Sequence, residues 1–121
     1  MPRHKIAQNC NIRPWASASP DCREKIFTMI GNSLLLSEAF QALTPGARQL
    51  YICMTVCSAG KRDFLFPAAT AKRYGFAEKS FRRYLKELCG AGFIELVSSG
   101  RLTREPNQYS FCLDWKPQKP P

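Results

Sequence analysis

The chain is short of the groups from which active sites and metal centres are usually built. It has one histidine, His4, set in a polar N-terminal stretch, so a histidine-based catalytic constellation has little to build on. No CxxC pair occurs among Cys10, Cys22, Cys53, Cys57, Cys89 and Cys112, and the paired spacing of structural zinc sites is missing. Cys53 and Cys57 stand four apart in a helical pattern and could bind a metal with help. They read more simply as small hydrophobes on a buried helix face. Cys89 precedes Gly90 at a helix end, where the helix dipole disfavours a thiolate. Carboxylates are few, and neither a phosphate loop nor a nucleophile motif appears. The expectation is a protein that is not an enzyme, with no catalytic residues, no cofactor and no metal.

Long apolar runs are missing too. No stretch reaches the roughly 18 apolar residues of a membrane-spanning helix. The opening "MPRHKIAQNCNIRPWASASP" is basic but lacks the apolar block of a secretory signal. The chain is therefore expected in the cytoplasm, away from membranes, where six cysteines read as free thiols.

What the chain does have is positive charge and enough apolar residues for a core. Its 121 residues suit one small domain, and a composition 45% hydrophobic and 12% aromatic is not that of a disordered segment. Lys and Arg number 18 against 9 Asp and Glu, for a net charge of +9. Between Lys61 and Arg104 there are ten basic residues and four acidic ones, which concentrates +6 of that charge in one stretch. Such a domain is a candidate partner for nucleic acid or another anionic surface.

Residues 1–22, rich in Pro, Ser and Asn, read as a flexible tail interrupted by Trp15. Residues 23–42 read as an apolar arm or short helix: Gly31, Asn32 and Ser33 mark a break, and one helical turn follows near Ser37–Ala42. Residues 43–115 form the domain proper, and 116–121 a Pro-rich exit. Within the domain, Thr44 caps a first helix with Pro45 at its first position, and Leu50, Tyr51, Met54 and Cys57 give it a buried stripe. Gly60 ends it, and "KRDFLF" holds a link with one brief strand. A second helix spans roughly Pro67 to Tyr74, with Ala68 and Ala71 small enough for close approach of another helix and Gly75 closing it. A third runs about Glu78 to Cys89 with Phe81, Leu85 and Leu88 inward. Then "FIELV" and "NQYSFCLDW" form an antiparallel hairpin, the latter placing Tyr109, Phe111 and Leu113 on one side, with Arg101 and Arg104 near the hairpin's tip.

Two helices joined by a few residues that include Gly are the helix-turn-helix signature, and a strand pair directly after them makes a winged helix. Over about Leu43 to Trp115 the sequence resembles the winged helix-turn-helix superfamily. Many bacterial members carry a small Ala in the second helix, Gly in the turn and a "GFI" after the third helix; here these are Ala71, Gly75 and "LCGAGFI". "GFAEKSFRRYLKELCGAGFIE" and "YSFCLDW" are similar to small domains of phage, plasmid and conjugative-element replication or regulatory proteins. The long N-terminal segment and the lack of a ligand-binding domain depart from simple regulators. The resemblance implies an α+β winged helix-turn-helix with a three-helix core and a C-terminal β-hairpin. It also implies a double-stranded DNA partner in replication initiation or transcriptional regulation, and a homodimer or a replication or regulatory protein as further candidate partners.

The residues support a DNA contact on physical grounds as well. A major groove about 12 Å wide admits one helix. Lys79, Ser80 and Arg83 are placed for base edges on the third helix, and Arg82 and Lys86 for phosphate or solvent. Lys72 and Arg73 stand on the solvent side of the second helix and complete the basic set. Arg101 and Arg104 can reach a flanking backbone or minor groove. Each group has a plainer reading as a solvated face. The alternative function is a protein-interaction or assembly module whose basic face meets an acidic partner and whose arm covers a second subunit.

Overall fold

A computed structural model describes residues 25–98 and 107–116. The architecture is α+β, with five helices and a three-stranded antiparallel sheet among the described residues. In chain order these are α1 (Asn32–Leu35), α2 (Glu38–Gln41), α3 (Pro45–Ser58), β1 (Asp63–Leu65), α4 (Ala68–Arg73), α5 (Glu78–Gly90), β2 (Ile94–Ser98) and β3 (Gln108–Phe111).

The first turns correct one expectation. Gly31, Asn32 and Ser33 do not break the chain; Gly31 precedes α1, and the Leu36 N–H closes on Asn32 O at 3.0 Å. Ser37 joins the two short helices. Its hydroxyl donates to Leu34 O at 2.7 Å and accepts from Phe40 N at 3.2 Å, so a residue type that favours loops serves here as a cap. Phe40 is buried in the main core, so this end of the arm belongs to the domain's own interior.

Helix α3 begins as its sequence indicates, with Thr44 Oγ1 accepting from Ala47 N and Pro45 at N1. Its buried face holds Ala47, Leu50, Tyr51, Cys53, Met54 and Ser58. Cys57, expected on that stripe, is exposed; Ser58, one position round the helix, takes the inward place and returns its hydroxyl to Thr55 O. The helix closes on Ala59, which itself adopts φ 53°, ahead of Gly60.

The α4–α5 corner is closed by two backbone bonds. Gly75 N donates to Lys72 O and Phe76 N to Ala71 O, each at 3.0 Å, with Gly75 at φ 91°. This is the Schellman arrangement, which only a residue without Cβ adopts at little cost. Pro67 precedes α4 as its N-cap rather than entering its first turn. Ala71 is buried, whereas Ala68 is exposed. Helix α5 buries Phe81 and Leu88 and half-buries Tyr84 and Leu85. It ends in a second closure of the same kind: Gly92 N to Cys89 O and Phe93 N to Leu88 O, with Gly92 at φ 84°.

The sheet order is β1-β3-β2. Phe64 pairs with Tyr109, and both are buried in the core; Leu96 pairs with the same Tyr109 from the other side but is left half exposed at the sheet's edge. The β2–β3 register shifts between Leu96 and Ser98, so Val97 is the extra residue of a bulge. The expected one-sided series Tyr109, Phe111, Leu113 stops early. The strand ends at Phe111, Cys112 N bonds Phe93 O at 2.9 Å, and Leu113 is left exposed.

Helices α3 and α5 and the sheet meet over a largely aromatic core. Tyr51 packs edge-on to Phe40, Phe93 and Phe111, and Trp115 stacks on Phe93 at 5.2 Å with the planes 7° apart. Phe66, Phe93, Leu50, Met54, Leu88 and Ile94 are the largest fully buried side chains. Each contributes about 1.5–3 kcal/mol by leaving water.

Candidate functional site

Helix α5 carries the densest group of cations, and its core contacts decide where they point. With 3.6 residues per turn, Phe81, Tyr84, Leu85 and Leu88 fix one side inward. Lys79, Arg83 and Lys86 then fall at i, i+4 and i+7 along the opposite side, all exposed. Among the described residues none of the three has a carboxylate partner.

Arg82 is placed differently. Its Nη2 meets Glu78 Oε1 at 2.6 Å, one turn back on an exposed flank of the same helix. Other arginines are turned to structural tasks. Arg48 donates to the carbonyls of Phe40, Gln41 and Leu43, closing the end of α2, and Arg62 Nε donates to Phe111 O. Of the described arginines, Arg48, Arg62 and Arg82 are thus committed within the fold, whereas Lys79, Arg83 and Lys86 meet no carboxylate among the described residues.

Lys72 and Arg73 occupy the last turn of α4, exposed, where the helix dipole also favours cations. Ser80 is half-buried, on the flank it shares with Glu87 seven residues on. That flank faces α3. Glu87 accepts from Thr44 N at 2.6 Å and from Thr44 Oγ1 at 2.8 Å, tying α5 to the first turn of α3. The sequence places Glu87 only as a counter-charge on a basic helix; in the fold it serves the N-terminus of another helix. Nothing local signals a pairing between residues 43 apart.

Gly46 was also missed. Its position in the first turn of α3 is filled on the outside by the Tyr84 ring; a Cβ there would overlap Tyr84 Cζ, Oη and Cε2. The signal was a poor helix former, in "TPGARQ", inside an otherwise well-made helix start. The Arg83 guanidinium lies 5.2 Å from the centre of that same Tyr84 ring, and Phe76 meets the ring edge-on at 6.2 Å.

Arg101 and Arg104, and with them the tip of the hairpin, lie outside the described residues, as do His4, Trp15, Cys10 and Cys22. Cys53, Cys57, Cys89 and Cys112 are free thiols, and no cluster of three or more metal-ligating side chains occurs among the described residues. No described helix is long and apolar enough to cross a membrane.

No protein-family model matches the chain, and no curated protein or solved structure matches it either.

Proposed function

We propose that the chain binds double-stranded DNA as a winged helix-turn-helix domain, with α5 as the helix that enters the major groove. The observation that carries this reading is the Lys79, Arg83 and Lys86 stripe, exposed and free of carboxylates among the described residues, on a helix backed by the core. The order of elements supports it: α4, a four-residue corner, α5, then a β-hairpin whose inner strand also pairs with β1. Lys72 and Arg73 flank the same corner, and Arg101 and Arg104 belong to the wing in this reading. The role proposed is replication initiation or transcriptional regulation in a bacterium or mobile element, inside the cell, without catalysis or a cofactor.

The test is a titration against duplex, single-stranded and RNA competitors at several salt concentrations. Duplex preference is expected, with log K falling against log salt by about 0.9 for each phosphate contact. Equal or tighter binding to single strands, or no binding at low salt, refutes the reading.

A second reading, an assembly module, is favoured by a different surface. Ile26, Met29, Leu36 and Leu113 are each at least 65% exposed. Phe27, Met29 and Leu113 line a groove of about 770 Å³ against the end of α3. Sedimentation equilibrium checks it: a stable dimer without duplex binding would favour this second function over the first.

A further inference from the structure

We propose that Tyr84 is a positioning residue for base recognition: seated against Gly46, its ring holds the Arg83 guanidinium ready on the outward side of α5. This rests on the duplex-DNA reading above and names the class of ligand atom involved, the O6 and N7 acceptors of guanine in the major groove.

Two contacts seat the ring before any ligand arrives, and a third tie holds the surface it rests on. Gly46 leaves the space that a Cβ would occupy, Phe76 meets the ring edge-on at 76°, and Glu87 holds the neighbouring Thr44, so that the first turn of α3 stays against α5. Arg83 lies over the ring at 5.2 Å. Its Nη2 is 3.5 Å from the Tyr84 hydroxyl, long for a hydrogen bond, so the ring face is the larger attraction. A free arginine loses much rotamer freedom when it docks, and a guanidinium already held loses less. Lys79 and Lys86 share the stripe but have no aromatic ring beneath them among the described residues, which suits them to diffuse attraction toward phosphate. The stripe thus divides into one donor resting on a ring and two charges without such a contact among the described residues.

The test compares Tyr84→Phe with Tyr84→Leu, each also on an Arg83→Lys background. NMR of the free protein is expected to show the Arg83 δ protons shifted upfield by the ring in the parent and in Tyr84→Phe, and released in Tyr84→Leu. In competition between the preferred duplex and its single-base variants, Tyr84→Leu is expected to lose about two- to fivefold in discrimination at one base position. Its salt slope should stay unchanged, and Tyr84→Phe should restore the discrimination. With Lys at position 83, the change at Tyr84 is expected to have no further effect on discrimination. Arg83 is exposed, so that background folds and keeps the cycle readable even if Tyr84→Leu lowers stability. The positioning role is overturned if the δ-proton shift is absent from the parent. It is also overturned if Tyr84→Leu weakens all duplexes equally, or acts the same with Lys at position 83. A parent protein without duplex preference overturns the DNA reading itself, a separate and earlier failure.

Discussion

Replacing Glu87 with alanine should destabilise the fold far more than replacing Glu78, although the two carboxylates stand on one helix. Glu87 accepts two hydrogen bonds, at 2.6 and 2.8 Å, from the backbone N–H and the hydroxyl of Thr44. A hydrogen bond to a charged group contributes about 1.5–3 kcal/mol when sheltered. Glu87 is only half-buried, so water replaces part of what is lost, and the two bonds together are expected to contribute about 1.5–2.5 kcal/mol. Thr44 keeps its own capping bond to Ala47 N, which limits the damage to α3. For a domain of this size the loss corresponds to a fall of about 10 °C in the unfolding temperature. Glu78 instead makes an exposed i,i+4 pair with Arg82, for which about 0.3–0.5 kcal/mol is the expected loss. Urea unfolding of the two alanine variants gives the comparison directly. A double-mutant cycle with Thr44→Ala should show a coupling of about 1 kcal/mol or more for Glu87. Equal small losses at both positions, or additive effects of Thr44 and Glu87, would refute the cross-helix capping argument.

Ala71→Leu, at a buried position between α4 and α5, should cost about 1–3 kcal/mol by overpacking; an unchanged melting temperature would show that the added side chain finds room in the groove beside Phe76 and Phe81 and that the crossing is not tight there. Gly92→Ala meets both φ 84° and Asp114 Cβ at 2.8 Å, so a loss of about 1–2 kcal/mol or more is expected in thermal unfolding. Arg83→Ala is expected to lower affinity for a preferred duplex by about 1–3 kcal/mol and to flatten discrimination at one base position, read by competition with single-base variants; a uniform loss on every duplex would demote it to phosphate contact. Burial pushes the Cys53 thiol above its ordinary 9.0 and the Tyr51 and Tyr109 hydroxyls above 10.0. The folded state therefore holds these protons longer than the unfolded chain. The associated stability is complete below about pH 9 and declines as pH rises through the range above it. Melting temperatures at about pH 8 and about pH 10 check this, and no fall between them would contradict it.

The parts legible in the sequence were those set by local chemistry. Thr44 and Pro45 announce the start of α3, Gly75 announces the corner, and the spacing of Phe81 and Leu88 announces the inner face of α5. Positions depending on distant neighbours were read less well. Cys57 fits a helical stripe by spacing, but at the end of α3 the core meets the helix one position round, at Ser58. Leu113 continues a strand alternation on paper, yet the chain has already left β3 to bring Trp115 onto Phe93. For the candidate site, the basic residues were visible at once. Which of them were already occupied was less plain: the Arg82–Glu78 pair is local, four residues apart on one helix, whereas the tasks of Glu87 and Tyr84 appear only when α5 is seated against α3.

The bulge at Val97 has a consequence for behaviour at high concentration. With sheet order β1-β3-β2, β2 is a border strand whose outward N–H and C=O groups could receive another chain, and Leu96 and Val97 are about half exposed there. A straight, apolar border of this kind is a template for fibrous stacking. The extra residue breaks the regular spacing of those groups toward the Ser98 end, and a bulged border is a poorer template for a stranger's strand than a straight one. The irregularity thereby guards the sheet against self-aggregation at the edge where its apolar side chains lie open.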